Sequence, residues 1–245
     1  MIKFGHVLGV IPARLASTRL PRKVLRTIAG EPLLAWVYRA ARVCPELDDV
    51  IIAADSTEVA DLCAQNNWPC ILTSPDLPSG TDRLFAVSQT IDADIYVNIQ
   101  GDEPLLHPEH ITAILAPFNN QHVDVTTLKV RCTPKNIANP NAVKVVTALD
   151  GRALYFSRAA IPYDRGNTGN TAYWKHLGLY AYRKQALNRF ASLAPTPLEL
   201  RERLEQLRLL ENGISLYVAE TQHDTIGVDT EEDLKCVEAI LKSRF

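Results

Sequence analysis

The sequence predicts an α/β fold: a mostly parallel mixed sheet flanked by helices, with a smaller β-rich subdomain. Three observations carry this reading. Short β-rich runs alternate with helical patterns through the first half of the chain, and Gly, Pro and Ser punctuate the changes. The alternation then gives way to longer strands after about residue 125.

The elements follow in order. Val7–Ile11 reads as a first strand stopped at Pro12. After the Gly30-Glu31 turn, Leu33, Leu34, Val37 and Ala40-Ala41 recur at helical spacing, and Pro32 suits a first helical turn, so 32–43 reads as a helix. Val50–Ala54 is a buried strand, and Ser56 caps a helix through Asn66, with Glu58 near its positive end. Cys70–Leu72 is a third strand, Thr81–Ile91 a helix after Ser79-Gly80, and Ile95–Ile99 a central strand. In the second half, 123–130, 143–149, 153–157 and 175–182 are β-prone, and 165–171 is a loop rich in Gly, Asn and Thr. Residues 198–210 read as one amphipathic helix ended by Asn212-Gly213. A last strand covers 214–219, and a C-terminal helix covers 230–241, with Thr230 as N-cap and Asp233 at its third position.

The 245 residues fit one domain, 1–245, within which about 125–200 form a β-rich elaboration. Apolar residues make up 47% and charged residues 22%, an ordinary globular balance. The net charge of −2 gives no global case for nucleic acid or an anionic membrane, so any attraction for phosphate is local. No stretch approaches the ~20 apolar residues of a membrane span, and Pro12 and Arg14 end the first apolar run too early for a signal peptide. Five cysteines without a C-x-x-C pair read as free thiols in a reducing compartment. The expectation is a cytoplasmic protein.

Three segments could carry chemistry. The loop after the first strand holds Arg14, Arg19, Arg22 and Lys23, with Ser17 and Thr18 between them. Ligands bind at strand ends in open α/β sheets, and four cations beside hydroxyls suit a polyphosphate. A solvated basic loop reads the same way. It is not a P-loop and has no G-x-G-x-x-G pattern, so side-chain cations would do the holding, Arg14 and Lys23 first among them. Asn98-Ile99-Gln100-Gly101-Asp102 ends a buried strand on a carboxylate with no packing purpose there. Asp102 is a natural Mg²⁺ ligand or, with Glu103, solvates a turn before the helix at Pro108, and Gly101 allows an unusual backbone angle or a close ligand approach. Asp229, just before the last helix, either stabilises that helix or joins Asp102 as a second metal ligand.

Further candidates are more ambiguous. Arg158, after a short aromatic strand, suits a substrate carboxylate and equally a surface ion pair. His176 and Tyr180 share a strand face, where a lone His is usually structural. Glu205 and Gln206 lie in the leucine-rich helix, and Glu205 reads as a solvated face residue. The remaining histidines show no H-x-x-x-H or H-E-x-x-H zinc spacing, and there is no G-x-S-x-G elbow for covalent catalysis.

In combination these segments resemble the cytidylyltransferases that activate 3-deoxy-D-manno-octulosonate (Kdo) as its CMP ester, the CMP-Kdo synthetase family. The resemblance runs from about Val10 to Asp233. It comprises Ile-Pro-Ala-Arg at 11–14, Ser-Thr-Arg-Leu-Pro at 17–21, Ser-Gly-Thr-Asp-Arg at 79–83 and Val-Asn-Ile-Gln-Gly-Asp-Glu-Pro at 97–104. Asn-Ala-Val-Lys-Val-Val at 141–146, Ala-Leu-Tyr-Phe-Ser-Arg at 153–158, His-Leu-Gly-Leu-Tyr at 176–180, Leu-Glu-Gln-Leu-Arg at 204–208 and Gly-Val-Asp-Thr at 227–230 complete it.

The resemblance implies a nucleotide-diphospho-sugar transferase (GT-A-like) fold, usually as a homodimer. It implies CTP and Kdo as substrates, CMP-Kdo and pyrophosphate as products, Mg²⁺ as cofactor, and a role in lipopolysaccharide synthesis. By position, Arg14, Lys23, Asp102 and Asp229 match the catalytic set, with Asp102 and Asp229 as metal ligands. Pro12, Ala13, Ser17, Arg19, Ser79, Thr81, Arg83 and Gln100 match nucleotide contacts. Gln100, Arg158, His176, Tyr180, Glu205 and Gln206 match sugar contacts, and the β-rich elaboration would supply the sugar pocket and dimer contacts. One departure stands out: where the family usually reads Leu-Pro-Gly-Lys-Pro-Leu, this chain has Leu20-Pro21-Arg22-Lys23-Val24-Leu25. Transfer to another sugar acid, such as 8-amino-Kdo or a sialic acid, and an inactive nucleotide-binding regulator are the alternatives.

Overall fold

The computed structural model describes residues 4–17, 19–166, 169 and 171–243. Thr18 and part of the expected loop 165–171 lie outside them. The chain forms two compact units, one made of residues 1–111 and 225–245, the other of 112–224.

In the first unit, β1 (Val7–Ala13) is followed by a 3-10 turn at Lys23–Leu25 and a small hairpin of β2 (Thr27–Ile28) and β3 (Glu31–Pro32). Then come α1 (Leu33–Arg42), β4 (Asp49–Ala54), α2 (Thr57–Gln65), β5 (Cys70–Leu72), α3 (Gly80–Ser88) and β6 (Ile95–Asn98). The strands lie in the order β6-β1-β4-β5, every pairing parallel, as the β–α alternation requires. β1 is buried over its whole length, and β6 likewise, which explains their near-continuous apolar sequence. A helix, α4 (Pro108–Leu115), carries the chain into the second unit.

That unit contains β7 (Val125–Arg131), a single turn α5 (Pro134–Ile137), β8 (Lys144–Thr147), β9 (Ala153–Ser157) and β10 (Trp174–Arg183). α6 (Lys184–Ala191), α7 (Pro197–Glu202), α8 (Leu207–Glu211) and β11 (Tyr217–Thr221) follow. β7 pairs antiparallel with β10 and parallel with β11, while β8 pairs antiparallel with β10 and β9. The chain returns to the first unit for α9 (Glu231–Lys242).

Several sequence expectations need correcting. Pro12 does not stop β1, which runs to Ala13 and pairs there with Ala54. The last β1–β6 pair is Val10 with Asn98, so Pro12 lies past the end of that ladder and its missing N–H costs no bond there. The α6 helix has no counterpart in the sequence reading. β11 begins at Tyr217, later than expected, because Leu216 O accepts from Ala153 N at 2.7 Å and Val218 N donates to Gly151 O at 2.9 Å.

The expected single helix over 198–210 is two short ones. Arg203 adopts a left-handed conformation (φ 53°) between them. The break is imposed by tertiary contacts that the apolar period cannot report. Arg158 Nε donates to Glu202 O at 2.7 Å and its Nη2 to Arg203 O at 3.3 Å, capping carbonyls the helix would otherwise use. A largely buried bidentate pair, Arg208 to Glu199 at 2.9 and 2.5 Å, then ties α8 back to α7.

The helices bordering the sheet ends start on side-chain caps. Ser56 accepts from Val59 N, and Ser79 with Asp82 and Thr230 with Asp233 form full capping boxes. Thr230→Ala removes one half of the box beside Asp229 and should cost about 1 kcal/mol of stability in urea unfolding.

Candidate active site

The carboxyl ends of β1 and β6 open into a cleft of about 350 Å³. The loop after β1 lines it with Arg14, Ser17, Arg19 and Lys23, the turn after β6 with Gln100 and Asp102, and the approach to α9 with Asp229. Val228 N donates to Asp102 O at 2.9 Å, so the two acidic segments are joined backbone to backbone.

Lys23 Nζ lies between both carboxylates. It bonds Asp102 Oδ2 and, at 2.9 Å, Asp229 Oδ1. Arg19 donates to the other oxygen of Asp229 at 2.8 Å. Burial pulls the Lys23 pKa down, but the Asp102 and Asp229 carboxylates more than offset it and hold the ammonium above its ordinary value. Two carboxylates that converge on one cationic atom, at a cleft rimmed by Arg side chains, form a donor set suited to Mg²⁺ with phosphate oxygens.

Behind the loop is a brace that sequence reasoning missed. Asp55, at the end of β4, accepts from Leu15 N at 3.0 and 3.2 Å, fixing the backbone next to Arg14. Arg83 is fully buried, donates to Thr73 Oγ1 at 2.6 Å and Ser74 O at 3.0 Å, and lies 3.8 Å from Asp55 Oδ2. Expected among the nucleotide contacts, it is found inside the wall of the cleft. Burial lowers its pKa, which Asp55 partly counters. Arg14 donates to Pro78 O at 3.0 Å, linking the loop to the turn before α3. Ser79 caps α3, Thr81 is buried, Ala13 is buried within β1, and Pro12 and Gly80 line the cleft.

Arg22, unassigned from sequence, has φ 57° and an ion pair with Glu58 on α2. A glycine adopts this left-handed conformation without strain. Arg costs about 1–2 kcal/mol more there. Gly101 needs no unusual backbone angle. A Cβ at 101 would lie 2.4 Å from Pro12 O, so the residue is small because the ends of β1 and β6 touch.

The second unit holds the remaining candidates. His176 is buried, its Nε2 3.0 Å from Thr127 Oγ1, with its ring 5.0 Å from Phe156 and 5.4 Å from Tyr180. Burial, with a smaller contribution from Lys175, drops its pKa to about 3, so the imidazole is neutral and serves as a hydrogen-bonding group. Tyr180 and Gln206 are buried, and among the described residues the Gln206 amide nitrogen has no hydrogen-bond partner, a polar atom spare for a ligand. Glu205 is half-buried in the turn before α8, off any helix face. Arg158 gives donors to Pro140 O, Glu202 O and Arg203 O. The fully buried Lys144, which sequence reasoning passed over, bonds Asn139 O and Ala142 O at 2.8 and 2.6 Å and fixes the same 139–142 loop.

The chain is similar to several known proteins. A family model described as cytidylyltransferase matches residues 8–221. A protein of Acidobacterium capsulatum named 3-deoxy-manno-octulosonate cytidylyltransferase is 67% identical over 98% of both chains. One of the same name from Koribacter versatilis is 59% identical over 97% of this chain and 90% of its own. A solved structure of CMP:2-keto-3-deoxy-manno-octonic acid synthetase complexed with CTP superposes with a TM-score of 0.93 at 38% identity, covering 98% of this chain and all of that one.

Two outcomes are expected. Gly101→Ala should destabilise the fold by about 1–3 kcal/mol in denaturant unfolding, because the added methyl meets backbone that cannot step aside. The second concerns acid. The folded His176 pKa lies below the unfolded value, so the unfolded chain takes up a proton that the native chain refuses. This group's contribution to stability is complete above about pH 6.5 and is lost as pH falls toward 3. The imidazole resonances in NMR should remain those of the neutral ring at pH 5, and the acid-side loss of stability should be shallower in His176→Gln.

Proposed function

The chain belongs to the 3-deoxy-manno-octulosonate cytidylyltransferase family, and on that premise we propose that it transfers CMP from CTP to the anomeric hydroxyl of 3-deoxy-manno-octulosonate. The products are CMP-Kdo and pyrophosphate, the activated sugar serving lipopolysaccharide synthesis. The observation that carries the reading is the cleft where Lys23 bridges Asp102 and Asp229 beside Arg14 and Arg19.

The chemistry follows from these groups. The sugar hydroxyl attacks the α-phosphorus in line, and negative charge grows on the departing pyrophosphate. Arg14, Arg19 and Lys23 are fixed donors for that charge, and donors already in place need no reorganisation when it develops. An ammonium has three donors, so Lys23 can bond both carboxylates and still offer one to a phosphate oxygen. Arg14 commits one N–H of five to Pro78 and keeps the planar fork for phosphate. Mg²⁺ held by Asp102 and Asp229 would neutralise phosphate charge and make the attacking hydroxyl more acidic. Pro12, Ala13, Ser17, Ser79, Thr81 and Gln100 lie on the segments we assign to the nucleotide, with Arg83 supporting them from inside the wall.

We assign the sugar acid to Arg158, His176, Tyr180, Glu205 and Gln206, with Gln100. The neutral His176 and the spare Gln206 amide suit sugar hydroxyls, and the Arg158 guanidinium suits the carboxylate. Among the described residues no helix is long and apolar enough to cross a membrane, and we extend the proposal to a cytoplasmic homodimer.

Pyrophosphate release from CTP and Mg²⁺ with a panel of sugar acids tests the reading. Release is expected with 3-deoxy-manno-octulosonate. Reaction with a sialic acid but not with Kdo would overturn the substrate, and CTP binding without release for any sugar acid would make the chain a regulator. Asp102→Asn should lower kcat by about 100-fold or more with the circular dichroism unchanged. A near-normal rate would remove Asp102 from the site.

A further inference from the structure

Next to the residues assigned to the sugar acid lies a cation that the chemistry above does not use. Lys144 opens β8 and is fully buried. Its Nζ donates to Asn139 O at 2.8 Å and to Ala142 O at 2.6 Å, so one ammonium clasps both ends of the 139–142 loop. Between those ends, Pro140 O accepts from Arg158 Nη1 at 3.0 Å. Lys144 also stands across from Ser157 in the β8–β9 pairing, one residue before Arg158. The residue before Lys144, Val143, accepts from His176 N at 2.8 Å.

The charges here are unbalanced. Among the described residues neither the Lys144 ammonium nor the Arg158 guanidinium has an ion pair, and both are held by backbone carbonyls. Glu202 bonds Ser157 Oγ at 2.6 Å and Arg158 N at 3.0 Å, so its carboxylate is committed to a hydroxyl and a backbone N–H. Burial lowers the Lys144 pKa, and the Arg158 charge lowers it further, against the opposing pull of Cys132 and Glu202. A buried cation held only by neutral oxygens is costly, and an anion bound nearby offsets that cost.

We propose that Lys144 is a positioning residue for the sugar acid: it holds the 139–142 loop so that Pro140 fixes the Arg158 guanidinium, and its buried charge favours an anionic group there. The proposal rests on the assignment of the sugar carboxylate to Arg158. Of the five N–H donors of a guanidinium, three are spent on Pro140, Glu202 and Arg203, and two remain for a ligand. A planar group held at three points meets a carboxylate in one orientation, so a displaced Pro140 carbonyl turns the remaining donors away. Lys144 is closed off from solvent and does not touch the sugar. It acts through the loop and through a charge that the interior screens less than water does.

The test is steady-state pyrophosphate release by the whole enzyme with Mg²⁺, varying Kdo at saturating CTP and then CTP at saturating Kdo. In Lys144→Met the Kdo KM should rise about 10-fold or more while the CTP KM stays within about twofold, with the circular dichroism unchanged. Lys144→Gln, uncharged and one atom shorter, should move the Kdo KM the same way, and it carries the test if the methionine variant does not fold. In an Arg158→Ala background the methionine substitution should add less than about twofold, because the two side chains act as a unit. Equal rises in both KM values, an unchanged Kdo KM in both variants, or a full additional loss in the Arg158→Ala background would overturn the proposal. Turnover in the unaltered chain with no shift in the variants strikes Lys144 alone. An unaltered chain that turns over no Kdo fails the proposed reaction itself, and the role of Lys144 falls with it.

Discussion

One ammonium, Lys23 Nζ, is bonded to carboxylates 79 and 206 residues away in the sequence. Two acids this close repel each other unless a cation stands between them. The free protein satisfies that constraint with its own lysine, and the surrounding structure can be understood as what brings the three groups together. β1 and β6 are parallel neighbours, so their carboxyl ends lie side by side, and Gly101 lets them touch. The Thr230–Asp233 box starts α9 beside Asp229, and the Val228–Asp102 hydrogen bond joins that start to the turn after β6.

The basic loop is held by a different kind of interaction. Its four cations lie close together and would scatter if the backbone were free. Asp55 grips Leu15 N, Pro78 accepts from Arg14, and Glu58 anchors Arg22. Behind Asp55, the buried Arg83 supplies a counter-charge that water cannot reach. An isolated buried guanidinium would be costly. Here Thr73 and Ser74 accept from its Nη1, and the Asp55 carboxylate lies 3.8 Å from its Nη2. At position 22 the ion pair with Glu58 stands against the strain of a left-handed arginine.

Much of this was legible in the sequence, for identifiable reasons. Strands buried on both faces print as apolar runs, and helix starts print as Ser, Thr and Asp at fixed offsets, so the βαβ order and the N-cap at Thr230 could be read directly. Asp102 stood out because a carboxylate at the end of a buried strand has no packing purpose, Arg14 and Lys23 because they belong to a cluster of cations after the first strand, and Asp229 only in combination with Asp102. What could not be read depends on partners distant in sequence. Asp55 looked like any residue before a helix. The helix across 198–210 kept its apolar period while Arg158 cut its carbonyl ladder from another strand. Lys144 and His176 sit among apolar neighbours, where only three-dimensional burial reveals a lysine spent on two carbonyls and an imidazole kept neutral.

The central claim is that Asp102 and Asp229 take a divalent ion together with the nucleotide. Mn²⁺ can replace Mg²⁺ as a paramagnetic probe, and water-proton relaxation then reports the bound ion directly. The account predicts enhanced relaxation when CTP and Mn²⁺ are both added to the protein, lost in Asp229→Asn although CTP still binds. Enhancement that survives that substitution, or that needs no CTP, would contradict it.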